Sequence, residues 1–510
     1  MAAPEEKFRY NYMQCKILHK ASTIAVVLVV VGFFAYCGAL DNFFYGDDFG
    51  FISEARGIHL FKPAEFVDGL KAIIQPFWFR VEFVFFFINN LLEAAFGLNL
   101  FLYHLHNVLL HIAIAGIVSN FVLKLSGSLK ISFLSGLLFL LNPLSAEAVY
   151  WYTGAHTLYV TLFIALTFWA YGRGFIKTSI LFMALAMCSK PDASVLLLYV
   201  FLIDNCLYLS SNLRERYFRL RYHILAALLI FIIYGLYYRN AAAWPIPEHR
   251  FQFHLGPDSL ERLFANFSYL LIPLKRVYFL AVPLLFGLSY LNLSPREKRM
   301  LILGAGFIFL SILPYQLFII DPQGFYFWRY ETVRYFYIPA IGQALLAAGV
   351  MMILFSRLSR PGRVLTCGCF GILFLLNGSA IVRLDNFFEE MERPYSALVK
   401  GVEPYFKEDK SRTQVVFDYP SFADPNLSSF YTSDLPLISE MFFEYKLISV
   451  TELKSLPDSS WIKERYARLP DPEKVRLLKF DGTAIKEIPP QDRDRYYQYF
   501  IDAARELYHK

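Results

Sequence analysis

The sequence predicts an all-α polytopic membrane protein that ends in a small α/β domain, and three observations predict this class. Of the 510 residues, 56% are hydrophobic and only 18% are charged, which is too apolar for a water-soluble chain of this length. The apolar residues form long blocks, many of them near the roughly 20 residues that cross a bilayer as a helix. Basic residues gather in alternate connectors, the pattern of connectors that face the cytoplasm.

The first apolar block covers residues 21–40 and follows a basic head, residues 1–20. The block is longer than a typical signal-peptide core, and no convincing small-residue cleavage site follows it. We therefore expect an uncleaved first helix with a cytoplasmic N-terminus. Residues 41–98 then form the first extracytoplasmic loop. Its apolar-aromatic part, 77–96, contains charges and is expected to lie on the membrane face or dip into it.

Further spans are expected after this loop, which gives about eleven transmembrane helices in all. Basic connectors follow every second span, and an odd number of spans places the C-terminus outside the cytoplasm. The expected spans lie near residues 100–123, 131–149, 157–175, 178–190, 193–209, 222–238, 277–292, 300–320, 336–355 and 364–382.

After Arg383 the chain becomes charged and contains no spanning run. We therefore expect a transmembrane domain over 1–382 and a soluble extracytoplasmic α/β domain over 383–510, because about 125 residues suffice for one small domain. Its expected elements are strands at 413–417 and 475–480 and a helix at 492–508.

An acidic pair, Asp47 and Asp48, follows the first apolar block inside an aromatic loop. Like charges side by side repel, and desolvation at a membrane surface adds to their cost. A solvated loop whose acids cap the next helix is the structural alternative. The pair becomes a candidate catalytic site because other unusual polar residues fall on the same predicted side of the membrane.

Those polar residues follow the ends of the predicted spans. Ionisable groups within a membrane are expensive, so several of them converging on one face indicate a functional cavity. A short span that ends at Lys190-Pro191-Asp192 is typical of a polar gap lined by protein. The other members are Arg80, Glu147, Trp151, His156, Arg329, Arg334, Tyr335 and Tyr337.

His104, Asn107 and His111 form one polar stripe at helical spacing on the second span. His104 and His111 are two turns apart, about 10 Å along the helix, which is too far for one metal ion. Helix packing or hydrogen bonding to a substrate therefore explains the stripe better than a metal site does. No cofactor is expected, although the Asp47-Asp48 pair could in principle hold one divalent cation.

The composition argues against other classes of protein. The sequence contains no basic nucleic-acid-binding patch, no cysteine spacing typical of zinc sites and no glycine-rich phosphate loop. The expected partners are therefore the bilayer and its lipids rather than nucleic acid.

With these segments in view, the chain resembles the GT-C class of integral-membrane glycosyltransferases, which use polyprenyl-phosphate-linked sugars. Within that class it is most similar to the membrane part of the transmembrane and tetratricopeptide-repeat O-mannosyltransferases and their bacterial relatives. The carrying segments are Asp47-Asp48, Tyr103 to His111, Asn142-Pro143 with Glu147 and Trp151, Ser189-Lys190, and Arg334 to Pro339.

The resemblance implies an inverting transferase that moves a sugar, a mannose-like hexose, from the lipid carrier to an acceptor hydroxyl of a glycan, lipid or protein. Asp47 would act as the base and Asp48 would orient it or bind the acceptor. Arg80, Lys190, Arg329 and Arg334 would hold the donor phosphate. The sugar or acceptor pocket would be lined by His104, Asn107, His111, Glu147, Trp151, His156, Tyr335 and Tyr337.

Two alternatives remain open at the level of sequence. One is an oligosaccharide ligase or oligosaccharyltransferase, although the Trp-Trp-Asp motif of the latter is missing from 383–510. The other is a lipid-linked glycan transporter, which predicts symmetry between two halves that the sequence does not show. The absence of repeats and the compact C-terminal part favour a bacterial inner-membrane protein with a periplasmic C-terminal domain.

Overall fold

The computed structural model describes most of the membrane part of the chain and separate elements of the C-terminal part. The predicted span near 277–292 lies almost entirely outside the described residues. Those residues are 22–44, 47–57, 83–208, 212–241, 257–271, 287, 292–317, 336–408, 413–417, 447–449, 475–480 and 485–509.

Helices make up nearly all of the described membrane part, and the predicted spans that fall within the described residues are mainly helical. We number them α1 Ser22–Tyr36, α2 Asp47–Gly57, α3 Phe83–Phe96, α4 Leu100–Ser126, α5 Leu129–Leu140, α6 Ala146–Tyr150, α7 Ala155–Gly172, α8 Ile176–Met187, α9 Leu196–Leu207, α10 Leu213–Ala241, α11 Pro257–Leu271, α12 Pro295–Leu317, α13 Tyr337–Arg357, α14 Arg360–Glu408 and α15 Arg493–His509.

Four helices among the described residues are long and apolar enough to cross a membrane, and a fifth span results if one bent pair counts as a single crossing. The four are α4, Tyr152–Gly172, α13 and the Arg360–Glu390 part of α14, and the bent pair is α5 with Pro143–Tyr150. The chain therefore has the character of an integral membrane protein. The figure of about eleven spans stays a prediction.

The chain divides into two compact units, which are described separately. The first unit consists of Met1–Leu40, Lys71–Ile88 and Phe101–Asp385. The second consists of Asp41–Leu70, Asn89–Leu100 and Asn386–Lys510. The predicted domain boundary near residue 383 stays a prediction.

In the first unit, the predicted span 131–149 is broken near its middle. Helix α5 ends at Leu140, and the chain bends by 50° before it continues through Pro143–Tyr150. Pro143 has no N–H to continue the helical ladder. The Asn142 carboxamide oxygen instead accepts a hydrogen bond from the Leu144 N–H at 3.1 Å. A helix end is tolerated at membrane depth only where its polar groups find partners in the protein.

Helices α12 and α13 approach each other closely through glycines. A Cβ atom added to Gly304 would lie 2.4 Å from the Leu346 backbone nitrogen, and one added to Gly342 would lie 2.7 Å from Ile308. Small residues allow two helix backbones to come together, and packing of this kind drives association within a bilayer.

We expect Gly304→Ala to lower the free energy of unfolding by about 1–3 kcal/mol, because backbone atoms cannot rotate away from the added methyl group as a side chain could. Gly116→Ala is the matched control, since a Cβ atom there meets nothing within 4 Å. Unfolding of both variants in mixed micelles checks the difference. Equal stability of the two variants would contradict the packing argument.

The described residues of the C-terminal part of the second unit form a mixed sheet of four strands. Strands β1 Thr413–Phe417 and β3 Val475–Phe480 coincide with the two strands predicted from the sequence, and α15 matches the predicted helix. The strand order is β2-β1-β3-β4, with β2 at Leu447–Ser449 and β4 at Ile485–Glu487. Strand β1 pairs in parallel with β2 and β3, whereas β3 and β4 are antiparallel.

Candidate active site

The acidic pair lies at the start of helix α2, which begins at Asp47. A helix N-terminus favours negative side chains, because the unsatisfied backbone N–H groups there carry partial positive charge. The Asp48 side chain is completely buried. Aspartate is almost never fully buried unless it has a partner, so this position indicates a carboxylate held in a defined environment.

Two consecutive asparagines of α3 hold α2 from one side. The Asn89 side-chain amide donates a hydrogen bond to the Phe51 carbonyl at 2.8 Å, and that of Asn90 donates to the Ala55 carbonyl at 2.7 Å. The two acceptors are one turn apart on α2. Because both asparagines are buried, these contacts orient the helix that carries the acidic pair.

The C-terminal section of α14 contacts α2 and the residues just before it. The Phe43 N–H donates to the Glu392 carboxylate, and the Phe49 ring lies 5.4 Å from the Tyr395 ring. Phe44 packs edge-on against Phe49. Sequence reasoning missed the four residues that position α2, namely Asn89, Asn90, Glu392 and Tyr395. Only the Asn-Asn pair within an apolar run gave a signal that could have found them.

In the first unit, the broken segment between α5 and α7 gathers buried polar side chains. Glu147, Trp151 and His156 are 4%, 8% and 3% exposed. Gly154 permits the tight path between them, because a Cβ atom there would lie 2.6 Å from the Ala148 carbonyl oxygen. These polar side chains are therefore enclosed by protein, and the predicted polar gap stays a prediction.

Lys190 lies beside this segment. It is 6% exposed, and its ammonium donates a hydrogen bond to the Thr157 hydroxyl at 3.3 Å. The neighbouring His156 packs edge-on against Phe85 of α3, with ring centres 5.7 Å apart. The Val84 N–H donates to the Cys188 carbonyl at 3.0 Å, so α3, α7 and the end of α8 meet around Lys190. An ammonium group can form charge-assisted hydrogen bonds with anionic oxygens.

The predicted stripe on α4 is completely buried, and Asn107 and His111 form hydrogen bonds with neighbouring segments. The Asn107 amide donates to the carbonyls of Trp151 and Tyr152 at 3.2 and 3.3 Å. Asn107 therefore holds the segment that carries Trp151 and His156.

His111 uses both of its ring nitrogens. Its Nε2 lies 3.0 Å from the Leu140 carbonyl oxygen, which can only accept, so Nε2 carries the proton. In the neutral ring, Nδ1 then accepts from the Tyr337 hydroxyl at 2.6 Å. The hydroxyl of Tyr36 also donates to the Leu140 carbonyl. These contacts favour helix packing as the role of His111 and Tyr337.

The remaining predicted site residues cannot be placed. Arg80, Arg329, Arg334 and Tyr335 lie outside the described residues, as does the side chain of Asp47. Within the described part of the chain, no group of three or more His, Cys, Asp or Glu side chains is arranged to hold a metal ion.

Comparison with known proteins finds similarity among solved structures. No protein-family model matches the chain, and no curated protein matches it. Among solved structures, the chain is similar to ArnT from Cupriavidus metallidurans bound to undecaprenyl phosphate. The identity is 15%, the TM-score is 0.45, and the match covers 90% of this chain and 93% of that one. We draw no conclusion about the fold or activity of this chain from a similarity with this TM-score and identity.

Proposed function

We propose that the protein is an inverting glycosyltransferase that moves a sugar from a polyprenyl-phosphate carrier to an acceptor hydroxyl on the extracytoplasmic side of the membrane. The observation that carries the proposal is the completely buried Asp48 in the first turn of α2, next to Asp47. Side-chain amides and aromatic contacts hold this helix in place. A carboxylate held in this way next to Asp47 suits a reaction that needs an oriented base.

The chemistry requires one proton acceptor. The oxygen of the acceptor hydroxyl attacks the anomeric carbon, and the bond from that carbon to the phosphate oxygen breaks with its electron pair leaving on the lipid phosphate. Asp47 takes the hydroxyl proton, with Asp48 orienting it or the acceptor. The phosphate leaves as a stable anion, so no general acid is needed, in contrast to glycoside hydrolysis. A single displacement inverts the anomeric carbon.

The charge that develops on the departing phosphate needs cations. Lys190 supports this role best among the described residues, because it is buried and its ammonium is held at Thr157. Arg80, Arg329 and Arg334 are proposed as further phosphate ligands, since a guanidinium can bind phosphate with two parallel hydrogen bonds. Groups held in place before the reaction stabilise developing charge without reorganisation.

The sugar or acceptor pocket is proposed at the broken segment of the first unit. Glu147, Trp151 and His156 would contact the ligand, together with Tyr335. A mannose-like hexose suits this set, because sugars bind through hydroxyl groups to carboxylates and through C–H faces to aromatic rings. His104, Asn107, His111 and Tyr337 would form the supporting wall, as the contacts of the last three indicate.

The test is label transfer with the purified full-length protein in detergent, a panel of radiolabelled polyprenyl-phosphate sugars and a membrane extract as acceptor. Transfer from one donor, unchanged by a chelator, is the expected result and identifies the sugar. Transfer that stops with chelator would overturn the metal-independent mechanism. If every donor is neither bound nor transferred, the transferase proposal fails.

Lys190→Gln is expected to lower kcat by a factor of about 100 to 1,000, because the amide cannot neutralise charge developing on the phosphate. Lys177→Gln is the matched control, since Lys177 is exposed at the start of α8. Steady-state rates with the active donor measure both effects. A Lys190→Gln enzyme with the wild-type kcat would remove Lys190 from the phosphate site.

A further inference from the structure

The first three turns of α10 have two faces with different partners. The inner face packs against α9, where Arg219 forms two hydrogen bonds with Asp204, and Arg216 contacts Asn205. The outer face carries two more arginines, Arg214 and Arg221, and both are exposed.

The outer arginines lie on exposed aromatic rings. The guanidinium carbons of Arg214 and Arg221 lie 5.8 and 5.1 Å from the ring centre of Phe218. Arg221 also lies 4.6 Å from the ring centre of Tyr222 and donates to its hydroxyl at 3.0 Å. Within the described part of the chain, neither guanidinium contacts a carboxylate. A guanidinium stacked on a ring still presents its in-plane N–H groups to an anion.

The same face of α10 becomes apolar immediately afterwards. Leu225, Leu228 and Ile232 continue the stripe at helical spacing and are 62%, 53% and 58% exposed. Arg214 and Arg221 are separated by seven residues, about 10 Å along the helix. The face therefore combines two cations on aromatic rings with an aliphatic track, which matches a phosphate headgroup followed by acyl chains.

We propose that this face of α10 is a binding surface for an anionic phospholipid, with the headgroup phosphate between Arg214 and Arg221 and an acyl chain along Leu225, Leu228 and Ile232. Charge complementarity argues for this occupant, since Arg214 and Arg221 are on this face and Glu215 is the one acid between Leu213 and Tyr222. Aromatic side chains beside basic residues are typical of the level of lipid headgroups. The proposal does not depend on the transferase function.

The experiment measures the melting temperature of the full-length protein in detergent during titration with phosphatidylglycerol or with phosphatidylcholine of the same acyl chains. Wild type is expected to be stabilised by phosphatidylglycerol more than by phosphatidylcholine. Arg214→Gln with Arg221→Gln is expected to weaken apparent binding of phosphatidylglycerol about 30-fold. This corresponds to about 2 kcal/mol at about 1 kcal/mol for each arginine near an anionic surface.

Arg360→Gln with Arg363→Gln is the matched control, because these arginines are also exposed at the start of an apolar helix. The control is expected to bind phosphatidylglycerol as wild type does, and both double variants are expected to keep their melting temperature without lipid. Arg214→Lys with Arg221→Lys keeps the charge but loses the planar fork, so intermediate binding is expected. Three results would each overturn the proposal: equal weakening in the control pair, equal stabilisation by phosphatidylcholine, or stabilisation by inorganic phosphate alone that matches the lipid.

Discussion

Asp47→Asn is expected to lower kcat for sugar transfer by a factor of about 100 to 10,000, the range associated with removal of a general base. Asparagine has nearly the same shape as aspartate but cannot accept the proton of the acceptor hydroxyl. Substrate binding should change much less than turnover. The measurement is the steady-state rate of label transfer with the donor that the panel identifies.

Asp41→Asn is the matched control, since Asp41 lies shortly before Asp47 and is exposed. It should transfer label at the wild-type rate. Asp48→Asn in parallel separates the roles of the two acids. Removal of the base should abolish the fall of kcat/KM on the acidic side of its pH profile, whereas removal of an orienting residue should leave that fall in place. A fully active Asp47→Asn enzyme would exclude Asp47 as the base.

Asp204→Ala is expected to lower the free energy of unfolding by about 3 kcal/mol. The Asp204 carboxylate is completely buried and accepts two hydrogen bonds from Arg219 at 2.8 and 3.1 Å and one from the Tyr171 hydroxyl at 2.5 Å. Its removal leaves the guanidinium and the hydroxyl without their partner. We take the lower end of the destabilisation range for loss of one partner from a buried ion pair, because the Arg219 side chain is 24% exposed. Water can therefore hydrate part of the guanidinium when the carboxylate is removed.

The unfolding free energy in mixed micelles measures this effect, and Glu215→Ala is the control, because Glu215 is exposed in the first turn of α10. A double variant, Asp204→Leu with Arg219→Met, should be more stable than Asp204→Ala, since replacing both members of a buried pair by apolar groups is often nearly neutral. A single variant as stable as the control would show that the pair contributes little. A double variant that is less stable than the single one would contradict the charge-burial argument.

Features that depend on neighbouring residues were predictable from the sequence. The strand at 413–417 is rich in β-branched residues, and the structure contains a strand with the same bounds. The helices of the membrane part follow from the length of the apolar runs, because the cost of unsatisfied backbone groups in a bilayer leaves few alternatives to a helix. The break at Asn142-Pro143 was not predicted, since 131–149 was expected to be one span, although the missing N–H of proline accounts for it.

The contacts of the candidate site were much less predictable. The helical spacing of the histidines was compatible with either helix packing or ligand binding as the role of His111. Its partner Tyr337 is 226 residues away in the sequence. Glu392 contacts the Phe43 backbone across 349 residues. No local sequence pattern predicts contacts between residues so far apart in the chain, since these contacts depend on which helices lie side by side.

By itself, the sequence determined that this chain is a helical membrane protein with an acidic pair after its first helix and a strand-containing C-terminal part. Hydrophobicity, charge and proline affect the secondary structure of the segment that contains them, so their effects can be predicted from each segment alone. Only the tertiary structure decided that Asp48 is buried, that Lys190 is held at Thr157 and that Asn89 and Asn90 hold the helix of the acidic pair. Burial and hydrogen bonding of this kind arise where segments distant in sequence pack together, so they belong to the fold and not to any one segment.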